Sequence, residues 1–241
     1  MTGLILYPLG AVLALLLSAW AWERAAPGED APNARQRHAI FFGCVVGAAL
    51  GAKLGFVFAE GLGGSVRALL QGKTVTGALL GAYAGVELAK SHVGYHTPTG
   101  DRFALLAPLS LSIGRVGCWA QGCCLGLPLP AAAWTLTDAH GIARWPAVPL
   151  ELGFNLAFLA WVAVILQRRG ERRSRLWGQL FHVYLMAYGA FRFAHEFLRE
   201  TPRWFGSISG YHVLSLLIFA LGAVGFARRD RLVEYTPLRA N

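Results

Sequence analysis

Apolar runs of membrane-spanning length decide what this chain is able to become. Leu4–Trp22 and Tyr211–Ala227 contain no Asp, Glu, Lys or Arg, and about 20 mostly apolar residues are enough to cross a bilayer. In hydrocarbon the backbone must satisfy its own polar groups, so each such run is predicted as a helix. Ala39–Ala59 carries one charge, Lys53, and Val148–Leu166 carries one, Glu151. Leu176–Phe197 holds Arg192 and Glu196 near its far end, Val75–Ala89 is shorter and holds Glu87, and Phe103–Trp119 holds Arg115. The pattern predicts an all-α polytopic membrane protein with about seven transmembrane helices, forming a single integral membrane domain over 1–241. Composition agrees, with 55% hydrophobic and 15% charged residues where soluble domains carry about 25% charged.

The net charge of +9 does not point to nucleic acid, because the basic residues lie between the apolar runs. With the N-terminus outside and the C-terminus cytoplasmic, Arg24, Arg35, Arg37, the cluster Arg168–Arg175 and the cluster Arg228–Arg231 fall inside. Arg67, Lys73, Arg144, Arg199 and Arg203 fall outside, a bias that follows the positive-inside rule. Residues 1–22 lack a basic leader region and read as a first helix rather than a cleaved signal. Two outer segments stand out. One is an interfacial arm near 60–74, where Gly61, Gly63 and Gly64 precede a short amphipathic piece, Val66–Leu70. The other, near 118–147, is rich in Gly, Pro, Ala and Trp.

Ionisable residues inside apolar helices cost several kcal/mol unless paired, so each is a functional candidate. Arg115 ends an uncharged run from Phe103, with Gly114 before it and Gly117 two residues on. Those glycines allow close approach, and a guanidinium grips a phosphate through two parallel hydrogen bonds. The alternative is an interfacial arginine snorkelling to head groups. Arg192 and Glu196 share a helix face at i, i+4, with His195 and Arg199 within a turn. Glu151 stands near a helix N-terminus, where a carboxylate is favoured anyway. Asp101 and Arg102 sit at a turn and are placed to cap the helix that follows. Small residues at 47, 48, 51, 52 and 55 suit their helix, which also carries Lys53, to close packing against a neighbour.

Cys118, Cys123 and Cys124 fall within seven residues of one another. A metal site, a redox site and a disulfide are the alternatives. No second Cys or His pair lies at zinc spacing, and adjacent cysteines chelate poorly, so the reading assigns no metal and no cofactor. An outer-face location permits a disulfide.

Across 114–126 the chain reads Gly-Arg-Val-Gly-Cys-Trp-Ala-Gln-Gly-Cys-Cys-Leu-Gly. This resembles the Gly-Arg-x-Gly-Cys-x-x-x-Gly-Cys-Cys-x-Gly variant of the phosphatidylglycerol–prolipoprotein diacylglyceryl transferase signature. Asp101 lies upstream of Arg115 as the family's acidic residue does, and Pro149-Leu150-Glu151 is similar to its Pro-x-x-Tyr-Glu region. The stretch from Tyr188 through Arg192 and Glu196 to Arg199 follows its Tyr-Gly-x-x-Arg-Phe-x-x-Glu-x-x-Arg pattern. The resemblance implies a multi-pass protein of the bacterial inner membrane, with the outer segments periplasmic. Its partners would be phosphatidylglycerol, membrane lipids and a prolipoprotein signal peptide. Its activity would be transfer of diacylglyceryl to the precursor's cysteine thiol. By position, Arg115 and Arg192 would hold the phosphoglycerol head group and Glu196 would orient Arg192. Asp101, Gly114, Gly117, Gly126, Glu151, Tyr188 and Arg199 would line the substrate.

Two departures stand out. Where the family has a His-Gly-Gly segment this chain reads Thr76-Gly77-Ala78, so Thr76 and Gly77 take the substrate-side positions and the histidine is absent. Cys118 and Cys123 occupy the signature's Asn and Glu positions and become catalytic candidates beside Arg115, which lowers a thiol's pKa. Besides the transferase, two further classes fit the sequence. One is a non-catalytic phospholipid-binding or transport protein, and the other a membrane thiol or redox protein using Cys118, Cys123 and Cys124.

Overall fold

The computed structural model describes residues 32–62, 72–167 and 178–235, with the single positions 12, 16, 66 and 176. The first predicted helix, Leu4–Trp22, and the amphipathic piece Val66–Leu70 lie outside the described residues except at Val12, Leu16 and Val66. The described residues form helices α1 (Ala34–Glu60), α2 (Val75–His92), α3 (Gly100–Gln121), α4 (Ala147–Gln167), α5 (Leu180–Glu196) and α6 (Gly210–Tyr235). Among them, α1, α3, α4 and α6 are long and apolar enough to cross a membrane. The all-α expectation needs one correction: Leu136–Thr137 (β1) and Ala143–Arg144 (β2) pair antiparallel in the loop between α3 and α4. Asp138 makes that turn, accepting the amides of His140 and Ile142 on its carboxylate.

Capping accounts for several boundaries. Asn33 and Gln36 form a reciprocal capping box at the start of α1, satisfying two amide groups that the first turn leaves open. Thr74 caps α2 by accepting from the Gly77 amide at 2.8 Å. Gly122 ends α3 in the left-handed conformation, φ +62°, which a residue without Cβ adopts freely.

The outward surface is apolar. Phe42 and Leu54 on α1 are each 70% exposed, a display suited to lipid and not to water. Inside, Phe103, Phe158, Phe181, Tyr184 and Tyr188 stack into a core shared by α3, α4 and α5.

Helices α1 and α2 pack backbone against backbone. Gly43, Gly47, Gly51 and Gly55 face Gly77, Gly81 and Gly85, and a Cβ on Gly81 would collide with the carbonyl of Gly47. Lipid tails are as apolar as any side chain, so such helices associate through close van der Waals contact at small residues. Gly81→Val is expected to lower stability by about 1–3 kcal/mol, the usual range for overpacking a filled interface. Thermal unfolding in detergent checks this, and an unchanged midpoint would contradict the packing.

Candidate functional site

The ends of α3 and α5 and the beginnings of α4 and α6 meet at one end of the bundle, and the charges gather there. Along α5, Tyr184, Tyr188, Arg192 and Glu196 recur every four residues, which puts all of them on one face. That face meets Glu151 and Asn155, themselves one turn apart on α4, and Arg115 on α3.

Glu151 is fully buried and is the hub. Its Oε1 accepts from Arg115 Nη2 at 2.6 Å and from the Tyr188 hydroxyl at 2.6 Å. Arg199 Nη1 lies 3.6 Å from Glu151 Oε2, and Arg199 Nε lies 3.6 Å from Glu196 Oε2, so this guanidinium bridges both carboxylates. Arg192 Nη1 approaches Glu196 Oε2 at 2.9 Å. The other oxygen of Glu196 accepts from Thr201 Oγ1 at 2.6 Å. Behind the hub, Asn155 donates to the Glu151 carbonyl at 2.8 Å and accepts from the Tyr184 hydroxyl at 2.7 Å.

Three guanidiniums therefore surround two carboxylates, and all five side chains are buried. Several donors are left over. Arg192 Nε makes no hydrogen bond among the described residues and neither nitrogen of His195 does, whereas Arg199 Nε and Nη1 meet Glu196 Oε2 and Glu151 Oε2 only as 3.6 Å ion pairs. Buried donors of this kind are costly unless something accepts from them. An anion with several acceptor oxygens fits that need and offsets the surplus positive charge.

The cysteines adjoin this cluster. All four in the chain are free thiols, so the disulfide alternative is not realised in this structure. Arg115 Nη1 lies 3.7 Å from Cys118 Sγ, and Cys118 and Cys124 Sγ are 3.9 Å apart. Cys124 takes a left-handed backbone, φ +61°. The three sulfurs then converge to within 4.8 Å of one another. Shared hydrogen bonds with Cys118 and Cys123, together with the Arg115 and Arg199 guanidiniums, draw the Cys124 thiol below its ordinary pKa. A cavity of about 230 Å³ opens here, lined by the three cysteines and by Thr137, Asp138 and Trp145 among others. A larger cavity of about 310 Å³ lies at the opposite end of the bundle, around Tyr83, Lys90 and His182, away from these charges.

Other predicted site residues go elsewhere. Asp101 sits in the first turn of α3, about 20 Å from Arg115 at 1.5 Å rise per residue, and its Oδ1 accepts the Leu180 amide at 3.4 Å. It braces the start of α5, outside the cluster. Gly77 is covered by Gly51 and Gly55 and serves the α1–α2 contact, while buried Thr76 shares a hydrogen bond with Thr74 at the start of its own helix. Gly126 allows Trp145 to approach its backbone and bridges to Arg199. Gly117 is buried beside Cys118, whereas space is open over Gly114.

Asn155, Tyr184, Thr201 and Ser209 are polar members that the sequence reading missed. The first two were detectable, since each is four residues from a singled-out partner on its own helix. A surface brace was also missed: Arg144 pairs with Asp138 at 2.5 Å and with Glu200 at 2.7 Å, tying the hairpin to the segment after α5.

Two expectations follow. Glu151→Gln leaves Arg115 without its carboxylate and is expected to destabilise by about 3–5 kcal/mol, the cost of stranding a buried charge. A melting midpoint within a degree of the parent would contradict the hub. The Arg144 guanidinium holds the Asp138 carboxyl below its ordinary pKa, so its stabilisation is complete above the unfolded value. That stabilisation is lost as pH falls through the lowered folded value. Amide exchange of Ile142 is expected to speed up in that acid range, and Arg144→Ala is expected to shift the acceleration to higher pH.

Comparison with known proteins bears on the family to which the chain belongs. Residues 3–228 match the family described as prolipoprotein diacylglyceryl transferase. The phosphatidylglycerol–prolipoprotein diacylglyceryl transferase of Bordetella avium is 31% identical over 217 residues, covering 82% of this chain and 79% of that protein. The same-named protein of Bordetella bronchiseptica is 31% identical over 185 residues, covering 70% and 67%. That of Rhodospirillum centenum is 29% identical over 219 residues, covering 83% and 76%. Matched over nearly its whole length by the family model and by relatives 31% identical, this chain belongs to the prolipoprotein diacylglyceryl transferase family.

Proposed function

We propose that this protein is a membrane enzyme transferring the diacylglyceryl group of phosphatidylglycerol to the cysteine thiol of a prolipoprotein. The observation that carries the reading is the charge imbalance of three buried guanidiniums, Arg115, Arg192 and Arg199, against two carboxylates, with Arg192 Nε left without an acceptor that a phosphate would supply. Hydrocarbon surrounds the bundle, so a phospholipid reaches such a site from the bilayer with its head group toward the polar end.

In this reading Arg115 and Arg192 hold the phosphoglycerol oxygens, and Arg199 and Tyr188 complete the polar lining. Glu151 and Glu196 fix the guanidiniums in place. The open space over Gly114 admits the glycerol backbone. The acceptor sulfur forms a bond to the terminal glycerol carbon as that carbon's bond to the phosphate oxygen breaks. The departing glycerol phosphate keeps the electron pair, and the guanidiniums stabilise the charge that develops on it. The chain would sit in the bacterial inner membrane as seven helices, N-terminus outside and C-terminus cytoplasmic, with the cluster on the periplasmic side. Thr76, at the place of the family histidine, favours a second reading in which the protein binds phospholipid without turning it over.

Purified protein, labelled phosphatidylglycerol and a lipobox peptide bearing one cysteine are expected to yield a thioether-linked lipopeptide. Arg192→Lys, which keeps the charge and removes the two-pronged grip, is expected to lower kcat by about 10²–10³-fold. No product from a protein that still binds phosphatidylglycerol vesicles would favour the second reading. Activity untouched by Arg192→Lys but abolished by Cys123→Ser would instead favour thiol chemistry.

A further inference from the structure

In the transferase reading Thr76 stands where the family has a histidine, and three cysteines lie beside the arginine assigned to the phosphate. We propose that Cys118, Cys123 and Cys124 form a zinc site with three thiolate ligands, whose open fourth position takes the acceptor's cysteine sulfur beside Arg115. This deepens the transferase reading and rests on it for the identity of the acceptor.

Geometry carries the assignment. Zinc binds thiolates at about 2.3 Å in a tetrahedron, which sets neighbouring sulfurs about 3.8 Å apart. Cys118 and Cys124 Sγ stand 3.9 Å apart, and all three sulfurs lie within 4.8 Å of one another. The backbone is folded to bring them there. Gly122 turns the chain out of α3 in the left-handed region, the Cys123 amide bonds back to the Cys118 carbonyl at 3.1 Å, and Cys124 turns left-handed again. Three soft sulfur donors with no carboxylate among them select zinc over magnesium or calcium. Charge balance agrees, since three thiolates around a divalent ion carry a net negative charge and Arg115 lies 3.7 Å from Cys118 Sγ.

Three protein ligands and one open position is the arrangement of zinc sites that act on a substrate. Here the open side is the cavity of about 230 Å³ lined by the cysteines and Trp145. A thiol entering it loses its proton on coordination, because a metal-bound thiol is deprotonated outright, and the proton passes to water. The resulting thiolate then attacks the glycerol carbon, as described above, next to the arginine assigned to the phosphate. No oxidant or reductant is needed, and zinc keeps its charge throughout.

Metal analysis of the purified protein loaded with Zn²⁺ is expected to find about one zinc per chain, reduced several-fold in Cys118→Ser and Cys124→Ser and kept in Cys44→Ser. Loading Co²⁺ instead gives a thiolate charge-transfer band. This band is expected to grow by about one third when the cysteine peptide is added, as three thiolates become four, and not to change with a serine peptide. Because the cobalt readout needs no turnover, a metal site that loads and binds the peptide thiol without forming product upholds this inference while the transferase reading fails. Transfer at full rate by chelator-treated, zinc-free protein would overturn the inference and leave the transferase reading standing. So would a Cys118–Cys124 disulfide in protein that binds no zinc, copper alone in the thiol cluster, or a cobalt spectrum that the cysteine peptide leaves unmoved. Circular dichroism and the melting midpoint of each serine variant separate loss of metal from loss of fold.

Discussion

The buried ion network around Glu151 constrains the rest of the molecule. A charge held away from water is tolerated only where its partner is held as well, and lipid on the outside offers no substitute solvent. Arg115 on α3, Glu151 on α4, and Arg192 and Glu196 on α5 must therefore face one another. That demand fixes the rotation of three helices about their own axes. Tyr188, donating to the same carboxylate oxygen as Arg115, locks the register further. The aromatic stack beneath it fills the core, and the one further hydroxyl it adds, that of Tyr184, is satisfied by Asn155.

Helices α1 and α2 follow a different rule. Their contact contains glycine against glycine backbone, and it brings two long helices together through proximity alone. One half of the bundle is thus held by close packing and the other by charge. The two halves meet where Trp204 donates to the Ala59 carbonyl at 3.1 Å and Tyr211 donates to Glu60 at 2.5 Å. Chemistry collects at the charged end because the antiparallel run of helices brings the ends of α3 and α5 and the starts of α4 and α6 to one place.

The site has one surplus cation and an Arg192 Nε without an acceptor among the described residues, an arrangement that is incomplete by itself. Such incompleteness is what a phosphate-binding site requires, since a fully paired network would have nothing left to offer a ligand. The carboxylates orient the guanidiniums without saturating them. The cysteines add a second, softer set of donors directly against the first, so the two chemistries share one wall.

Much of this was legible in the sequence. Charge-poor runs marked the helices, because a bilayer core penalises any unpaired charge by several kcal/mol. The four-residue spacing of Tyr188, Arg192 and Glu196 marked a single helix face, and the small residues of α1 marked a packing surface. These are local properties, set by helix geometry and solvent. Other features needed the fold. Arg115 and Glu151 are 36 positions apart, and no periodicity links residues on different helices, so Glu151 by itself reads as a carboxylate near a helix N-terminus. Asp101 and Gly77 matched family positions, yet the structure gives one to the α5 terminus and the other to the α1–α2 seam. The convergence of three cysteines depended on a left-handed residue at Cys124, a conformation that side-chain identity does not announce. Sequence alone determined that this chain crosses a membrane and which residues would be costly to bury there. Only the tertiary structure decided which of them meet, because that depends on how separate helices are rotated and stacked, information spread over the whole chain.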